Sequence, residues 1–225
     1  MQKIFQIALV TCTFIVFLQG CKKDNDEEEN PDSWTEEFDN MEELIQQKYW
    51  LAFNNSIEAY GATWTQGFHE PDKMGGFLGF PAYSFATSGD VGEYAFAGQT
   101  SFNLTSVVSS WLVTPPVELK NGDKFSFYTR CDSNIIAPHT LEIRLTQTAY
   151  PTPGNGPAEV GSFNHLLNTV NPDKTENGYP KTWKKIEVTV SGLPADGKGR
   201  IAFRYMSQGQ LDGGIGIDQL VYTSK

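Results

Sequence analysis

The sequence predicts an all-β fold, a sandwich of two antiparallel sheets. Glycine and proline account for 21 and 12 of the 225 residues, and they interrupt the chain so often that helix signals are scarce. Beyond residue 33, short runs in which apolar and polar residues alternate dominate instead, as in half-buried strands. Each such strand is apolar on one face only, so two sheets are needed to cover each other.

The first twenty residues predict a secretory signal peptide. Lys3 precedes an uncharged run at residues 4–17, which is too short to span a hydrocarbon core of ~30 Å as a helix. The letters LQGC at residues 18–21 resemble the lipobox of bacterial lipoproteins, in which the cysteine is lipidated and becomes the mature N-terminus. Cys21 is therefore the predicted lipidation site, which implies an anchor in the outer membrane. An ordinary secretory signal that ends beside a cysteine is the alternative.

Residues 21–32 predict a flexible tether behind this anchor. Their dense acidic run, from Asp24 to Glu29, repels itself and cannot bury apolar area, so an extended segment is expected. The run resembles the signal by which lipoproteins of the Bacteroides group are exported to the outer face of the outer membrane. A solvated spacer without such an address is the alternative, so periplasmic and cell-surface locations both stay open.

Cysteine usage predicts a domain without an internal disulfide. Cys12 lies in the signal peptide and Cys21 at the anchor, which leaves Cys131 as the one cysteine of the folded part. Cys131 follows the alternating run FSFYTR, so we expect a buried thiol at the end of a strand and not a nucleophile.

The net charge argues against nucleic acid as a partner. The chain carries a formal charge of -10, whereas phosphate binding requires clustered lysine and arginine. Residues 33–225 have the length of one large β domain, and a second domain is not required.

The predicted elements follow in chain order. A short helix is expected within residues 40–50, and a buried strand at residues 109–119 should end at Pro115 and Pro116, which cannot donate to a ladder. Tight turns are predicted by Asn-Gly within residues 119–124 and by Asp-Gly within residues 193–200. Further strands are expected at residues 124–131, 139–148, 183–193, 199–209 and 213–223.

Alternation also predicts which side chains share a face. In the run at residues 124–131, Phe125, Phe127 and Thr129 should lie on one face, and Ser126, Tyr128 and Arg130 on the other. The last strand is expected to alternate without interruption, with Ile215, Ile217, Gln219 and Val221 on one side and Asp218, Leu220 and Tyr222 on the other.

The order of these pieces resembles the choice-of-anchor J domain, a family related to the cleaved-adhesin and MAM-like jelly-roll modules of surface proteins. The resemblance spans residues 33–223 and is weak at residues 49–101 and 149–182. It implies a jelly-roll sandwich and a lipid-anchored binding or adhesion module that recognises glycan or a surface protein. A structural subunit that packs in an outer-membrane lipoprotein complex is the alternative.

The resemblance also implies a possible cofactor, because some relatives bind calcium with carboxylates from the opening and the last strand. The matching positions here are Glu36, Asp39 and Asp218, and Gln219 stands where relatives often carry a second acid. Alternatively, these acids end strands and accept hydrogen bonds from the backbone or from hydroxyl groups.

Two stretches rich in aromatic residues are candidate ligand sites. Trp64 and Tyr83 lie at residues 60–89, where rings interleave with polar side chains, and exposed rings beside polar groups suit glycans. Tyr150 and Tyr179 lie in the stretch at residues 149–183, which is longer than a structural connection requires. A sandwich core also consumes aromatic rings, so burial is the competing interpretation.

Catalysis is not expected. The alternating acid strands of jelly-roll glycosidases and the G-x-S-x-G and H-E-x-x-H motifs are absent from the sequence. A glycan-active hydrolase with paired carboxylates is the remaining enzymatic alternative.

Overall fold

The computed structural model describes residues 32–69, 79–83, 94–101, 104–133, 136–209 and 211–225. The predicted signal peptide, the lipidation site at Cys21 and nearly all of the tether lie outside these residues. In the part of the chain that is described, no helix is long and apolar enough to cross a bilayer.

The described residues form short strands and one helix of seven residues. In chain order the elements are β1 (Trp34–Glu36), α1 (Met41–Gln47), β2 (Leu51–Asn54), β3 (Tyr60–Gly67), β4 (Tyr94–Ser101), β5 (Val107–Val113), β6 (Val117–Leu119), β7 (Lys124–Cys131), β8 (Thr140–Thr146), β9 (His165–Val170), β10 (Lys184–Thr189), β11 (Gly197–Gln208) and β12 (Leu211–Thr223).

These strands build two antiparallel sheets that cover each other, so the predicted β-sandwich is confirmed. The first sheet has the order β10-β7-β12-β4-β3, and β1 also pairs with β12. The second sheet has the order β2-β5-β11-β8-β9, and β6 also pairs with β11. Pro115 and Pro116 lie between β5 and β6, where the chain leaves the β5 ladder as predicted.

The core lies between the two sheets, and the alternating runs supply it. Phe125 and Phe127 of β7 face Ile201 and Phe203 of β11 in one continuous cluster, and Phe127 meets Phe203 edge to face with ring centroids 5.2 Å apart. Helix α1 closes one side of this cluster with buried Met41 and Leu44. Its first turn is capped because the Asn40 side chain accepts a hydrogen bond from the Glu43 amide at 3.0 Å.

Four strands were missing from the sequence-based prediction. β2, β3 and β4 lie in the weakly matching middle of the chain, and β9 lies inside the segment at residues 149–183 that was predicted as a long loop. β9 is an edge strand beside β8, and its residues are mostly half-buried, so it lacks the clear alternation of an inner strand.

The prediction of uninterrupted alternation in β12 is wrong. Gln219 has φ of 47°, in the left-handed region, and the register of β12 against β7 shifts between Asp218 and Val221. This bulge turns Leu220 and Tyr222 into the core, where Tyr222 stacks on Phe125 at 4.8 Å. The extra residue therefore reverses the faces that simple alternation assigns to the end of the chain.

A neutral histidine lies at one end of this core. His139 is buried, its Nδ1 is 2.9 Å from the Tyr205 hydroxyl, and its Nε2 has no hydrogen-bond partner within the described structure. Burial lowers the pKa of His139 to about 4. The folded protein therefore carries this imidazole uncharged at neutral pH.

We expect His139 to make the fold sensitive to mild acid. An unfolded histidine has a pKa of about 6.5, so between pH 6.5 and 4 the unfolded chain binds more protons and the free energy of unfolding falls, by about 3 kcal/mol at full effect. Urea unfolding of wild type and His139→Gln between pH 4 and 7.5 measures this. The variant should lose that part of the pH dependence, and His165→Gln is the matched control. An unchanged pH profile in His139→Gln would contradict the assignment.

Candidate ligand-binding site

A polar surface runs across the outer face of the first sheet. The strand registers align three rows of side chains there, each centred on β7 and flanked by β10 and β12. The rows are Lys185–Tyr128–Asp218, Glu187–Ser126–Val221 and Thr189–Lys124–Thr223. The sequence predicted Ser126 and Tyr128 on this face, and the structure confirms it, since both are half-buried while Phe125 and Phe127 are fully buried.

Two of these rows line a groove. Its volume is about 390 Å³, and the polar groups at its surface include Ser126, Lys185, Glu187, Thr189 and Thr223. Lys185 and Glu187 form an ion pair at 3.0 Å with both side chains largely exposed to solvent. The groove therefore offers hydroxyl groups, one carboxylate and ammonium groups within a small area.

A pair of stacked tyrosines stands at the end of this groove. The rings of Tyr83 and Tyr128 are nearly parallel, with centroids 3.6 Å apart and planes at 15°. The hydrogen bond with Tyr128 raises the pKa of Tyr83, so the phenol is neutral at physiological pH. Tyr83 keeps 37% of its surface exposed, which leaves one ring face available to a ligand.

The buried carboxylate of Asp218 holds Tyr83 in this position. Its Oδ2 accepts a hydrogen bond from the Tyr83 backbone amide at 2.8 Å, and its Oδ1 accepts one from the Gln219 amide at 2.8 Å. Asp218 pairs with Tyr128 across the ladder between β12 and β7. The hydrogen bond from Tyr83 to Asp218 therefore places the Tyr83 ring directly over the Tyr128 ring.

A second aromatic cluster secures the same segment beside the groove. Phe80 stacks on Tyr94 at 4.8 Å and meets the ring of Trp183 at 5.5 Å, while the guanidinium of Arg130 lies 4.5 Å from the Phe80 ring. The Trp183 indole donates a hydrogen bond to the Pro81 carbonyl at 2.9 Å. These rings are mutually covered, so they support the segment at residues 79–83 and are not themselves contact surfaces.

The close packing of this cluster explains a glycine in β12. A Cβ atom at Gly216 would lie 2.8 Å from the Phe80 ring and 2.9 Å from the Tyr94 ring, closer than side-chain contacts permit. Gly216 therefore lets the aromatic layer approach the sheet directly.

The predicted ligand residues divide into buried and exposed ones. Trp64 and Tyr179 are each only 2% exposed and belong to the sandwich core, so their prediction as surface contacts is wrong. Trp64 faces inward from β3, and the Tyr179 hydroxyl is bonded to the Thr129 hydroxyl at 2.6 Å. Tyr150 is 91% exposed and does not line the groove. Tyr83 is the predicted residue beside the groove, because its ring stacks on Tyr128, which pairs with the lining residue Lys185.

The three predicted calcium ligands do not form one coordination set. Glu36 pairs with Leu220, on the inner face of the sheet, whereas Asp218 points to the outer face, and Asp39 is exposed after β1 ends. Glu36 accepts a hydrogen bond from the Phe38 amide at 3.2 Å, and burial raises its pKa. Among the described residues, no three acidic, histidine or cysteine side chains are grouped as a metal site would require. Calcium binding itself stays a prediction.

The chain matches no protein-family model and no curated protein sequence. Its fold is similar to solved cleaved adhesin domains of Lys-gingipain from Porphyromonas gingivalis. The K1 domain matches with a TM-score of 0.54 and 19% identity over 86% of this chain and 98% of that domain. The K3 domain matches with a TM-score of 0.52 and 20% identity over 85% and 98%. At this identity the similarity shows the fold alone, and it agrees with the cleaved-adhesin part of the resemblance seen in the sequence.

Asp218→Ala should destabilise the protein whether or not calcium is present. The substitution removes two charge-assisted hydrogen bonds and releases the segment that carries Tyr83, at a cost of about 2 kcal/mol. Thermal melting in chelator and in calcium measures this, and Asp39→Ala, at an exposed position, is the control. A melting temperature equal to wild type in chelator, but reduced in calcium, would instead identify Asp218 as a metal ligand.

Proposed function

We propose that this protein is a lipid-anchored binding module of the outer membrane that recognises glycan at the groove on the first sheet. The observation that carries this proposal is the Tyr83 ring, stacked on Tyr128 at the groove end and held there by Asp218. The similarity in fold to cleaved adhesin domains supports a role at the cell surface.

The chemistry of the groove suits a sugar. A sugar ring presents an apolar face of C–H groups and a rim of hydroxyl groups, so it is complemented by an aromatic face beside hydrogen-bonding side chains. Tyr83 supplies the face, and Ser126, Thr189 and Thr223 supply hydroxyl groups along the groove. The Glu187 carboxylate can accept hydrogen bonds from sugar hydroxyl groups, and the Lys185 ammonium group can donate hydrogen bonds to them.

The size and openness of the site fit one or a few sugar units. Its volume of about 390 Å³ lies near the lower end of the range of about 300–1,000 Å³ for small-ligand sites. The ion pair and the hydroxyl groups are exposed, so water will mediate some of the contacts with a ligand. We expect modest affinity for one sugar unit and tighter overall binding to a surface that displays many copies of it.

The lining of the groove favours binding over glycoside hydrolysis. Glycosidases place two carboxyl groups on either side of the scissile bond, whereas Glu187 is the carboxylate among the residues that line this groove. Glu187 is also exposed and paired with Lys185, so it lacks the apolar surroundings that are typical of a catalytic general acid.

Docking on an envelope protein is the second candidate function, and an apolar patch at one end of the sandwich favours it. Ile57, Tyr60 and Leu104 expose 51%, 79% and 78% of their surfaces. The loops that carry them are joined by the Ile57–Val107 bridge and by a hydrogen bond from the Thr105 hydroxyl to Glu58. Exposed apolar side chains that cluster in this way are typical of protein interfaces.

Tyr83→Ala should abolish most of the glycan affinity without unfolding the protein. The variant removes the exposed ring face but keeps the backbone amide that bonds Asp218, and we expect binding to weaken by about tenfold or more. A glycan array followed by titration of the best ligand measures this for wild type, Tyr83→Ala and the control Tyr150→Ala.

Two results would contradict the glycan proposal. The first is a wild-type protein that binds none of a broad panel of host and plant glycans. The second is a ligand whose affinity falls in Tyr150→Ala and not in Tyr83→Ala, since Tyr150 lies outside the groove.

Cys21→Ala should release the protein from the membrane fraction. Acyl chains on a cysteine contribute about 0.8 kcal/mol for each buried methylene, which is enough for stable attachment when several chains are present. Fractionation and metabolic labelling with a fatty-acid analogue measure this, and Cys131→Ala is the control because that thiol is buried in the fold. Retention of Cys21→Ala in the membrane would overturn the anchor.

A further inference from the structure

A separate pocket lies on the outer face of the second sheet. Its volume is about 560 Å³, and it is bounded by outward side chains of β8 and β11 and by the loop at residues 157–160. Three of its lining side chains are cationic and one is anionic, in a protein whose net charge is -10. Within an acidic protein, this local surplus of positive charge favours an anionic ligand.

The single carboxylate of the pocket is bound by two arginines through one of its oxygens. Glu142 Oε2 accepts hydrogen bonds from Arg144 Nε at 2.6 Å and from Arg204 Nη1 at 3.0 Å. Burial raises the pKa of Glu142, but the two arginines lower it by more, so its pKa lies below the usual value. One ionised carboxylate thus compensates one of the two guanidinium charges.

Arg204 shares the Glu142 carboxylate with Arg144 and is also held by other groups of the protein. Its side chain is 4% exposed, its Nε donates to the Ser109 hydroxyl at 3.1 Å, and its Nη2 donates to the Pro157 carbonyl. The guanidinium also lies 5.0 Å from the centre of the Trp111 ring. Arg204 is therefore locked into the floor of the pocket and joins the loop to the sheet.

Arg144 and Lys174 are the cations of the pocket that keep donors available for a ligand. Arg144 uses Nε for Glu142 and Nη1 for the Phe163 carbonyl at 3.1 Å, and its Nη2 makes no hydrogen bond with any described residue. Lys174 is exposed on the rim and forms no ion pair with the described part of the chain. Both cations line the same pocket, so they can share one anionic group.

The remaining lining of the pocket is mostly apolar. Val107, Pro157, Val160 and Met206 contribute to its walls. The aromatic rings nearby, Trp111 and Phe163, are buried beneath the loop and are not part of the lining, so the pocket offers no ring platform for a sugar.

We propose that this pocket binds a small organic acid with an apolar body, such as an acylated amino acid or a free peptide terminus. The carboxylate accepts hydrogen bonds from Arg144 Nη2 and from the Lys174 ammonium group. The apolar body packs against Val107, Pro157 and Met206. Guanidinium groups that are already oriented by a neighbouring carboxylate lose little side-chain entropy on binding, which favours such a contact. The pocket lies on the opposite sheet from the glycan groove, so the two proposals stand independently.

Calorimetric titration of the purified full-length protein in mild detergent tests this proposal with N-acetyl-leucine and its uncharged analogue N-acetyl-leucinamide. We expect the acid to bind at least about tenfold more tightly than the amide, and its affinity to fall as salt is raised. Arg144→Gln should reduce the affinity by at least about tenfold, and Lys174→Gln by several fold. Lys185→Gln, in the groove on the other sheet, should leave it unchanged.

Three outcomes would overturn the proposal. They are absence of binding by N-acetyl-leucine at millimolar concentration, equal binding of acid and amide, or unchanged affinity in Lys174→Gln together with Arg144→Gln. If Arg144→Gln lowers the melting temperature, Lys174→Gln decides alone, because that exposed side chain makes no ion pair with the described residues. Galacturonate that binds more tightly than N-acetyl-leucine would overturn the assignment of an apolar body.

Discussion

The carboxylate of Asp218 connects the core of this protein to its candidate binding surface. Without the bulge at Gln219, Asp218, Leu220 and Tyr222 would all lie on one face of the sheet. The bulge turns Leu220 and Tyr222 into the core and leaves Asp218 on the outer face. From there the Asp218 carboxylate accepts a hydrogen bond from the Tyr83 amide and helps to hold the ring that stacks on Tyr128. A charge buried in this way is tolerated because it is hydrogen-bonded on both oxygens.

Both sheets carry an additional aromatic layer on their outer faces, and each layer is covered by a cation. Arg130 lies over Phe80 on the first sheet, and Arg204 lies over Trp111 on the second. Each layer occupies only part of its face. The uncovered parts form the groove beside Tyr128 and the pocket beside Arg144. The segments that pack the layers thereby define where ligands can reach the sheets.

The sequence predicted the architecture well because inner strands such as β7 and β11 alternate cleanly and are buried on one face. The sequence did not predict the β-bulge at Gln219, because the left-handed backbone there is adopted by a residue other than glycine, which is the usual signal for it. The site was predicted only in part. Tyr83 and Trp64 occur in the same aromatic stretch, but Trp64 is buried by its position in β3, whereas Tyr83 lies outside the strands and is held on the sheet surface by Asp218. Lys185 and Glu187 were missed because they join Tyr128 through the register of β10 against β7, which local sequence does not encode.

Burial keeps two titratable groups of the sandwich core uncharged at neutral pH. Burial raises the pKa of the Cys131 thiol to about 11 and lowers that of His139 to about 4, so at neutral pH neither a thiolate nor an imidazolium is present in the core. The charged groups that can meet a ligand are instead placed on the outer faces, in positions fixed by neighbours: Lys185 beside Glu187, and Arg144 beside Glu142. The outer faces therefore present oriented hydrogen bonds and fixed charges, while the Cys131 thiol and the His139 imidazole stay neutral and enclosed.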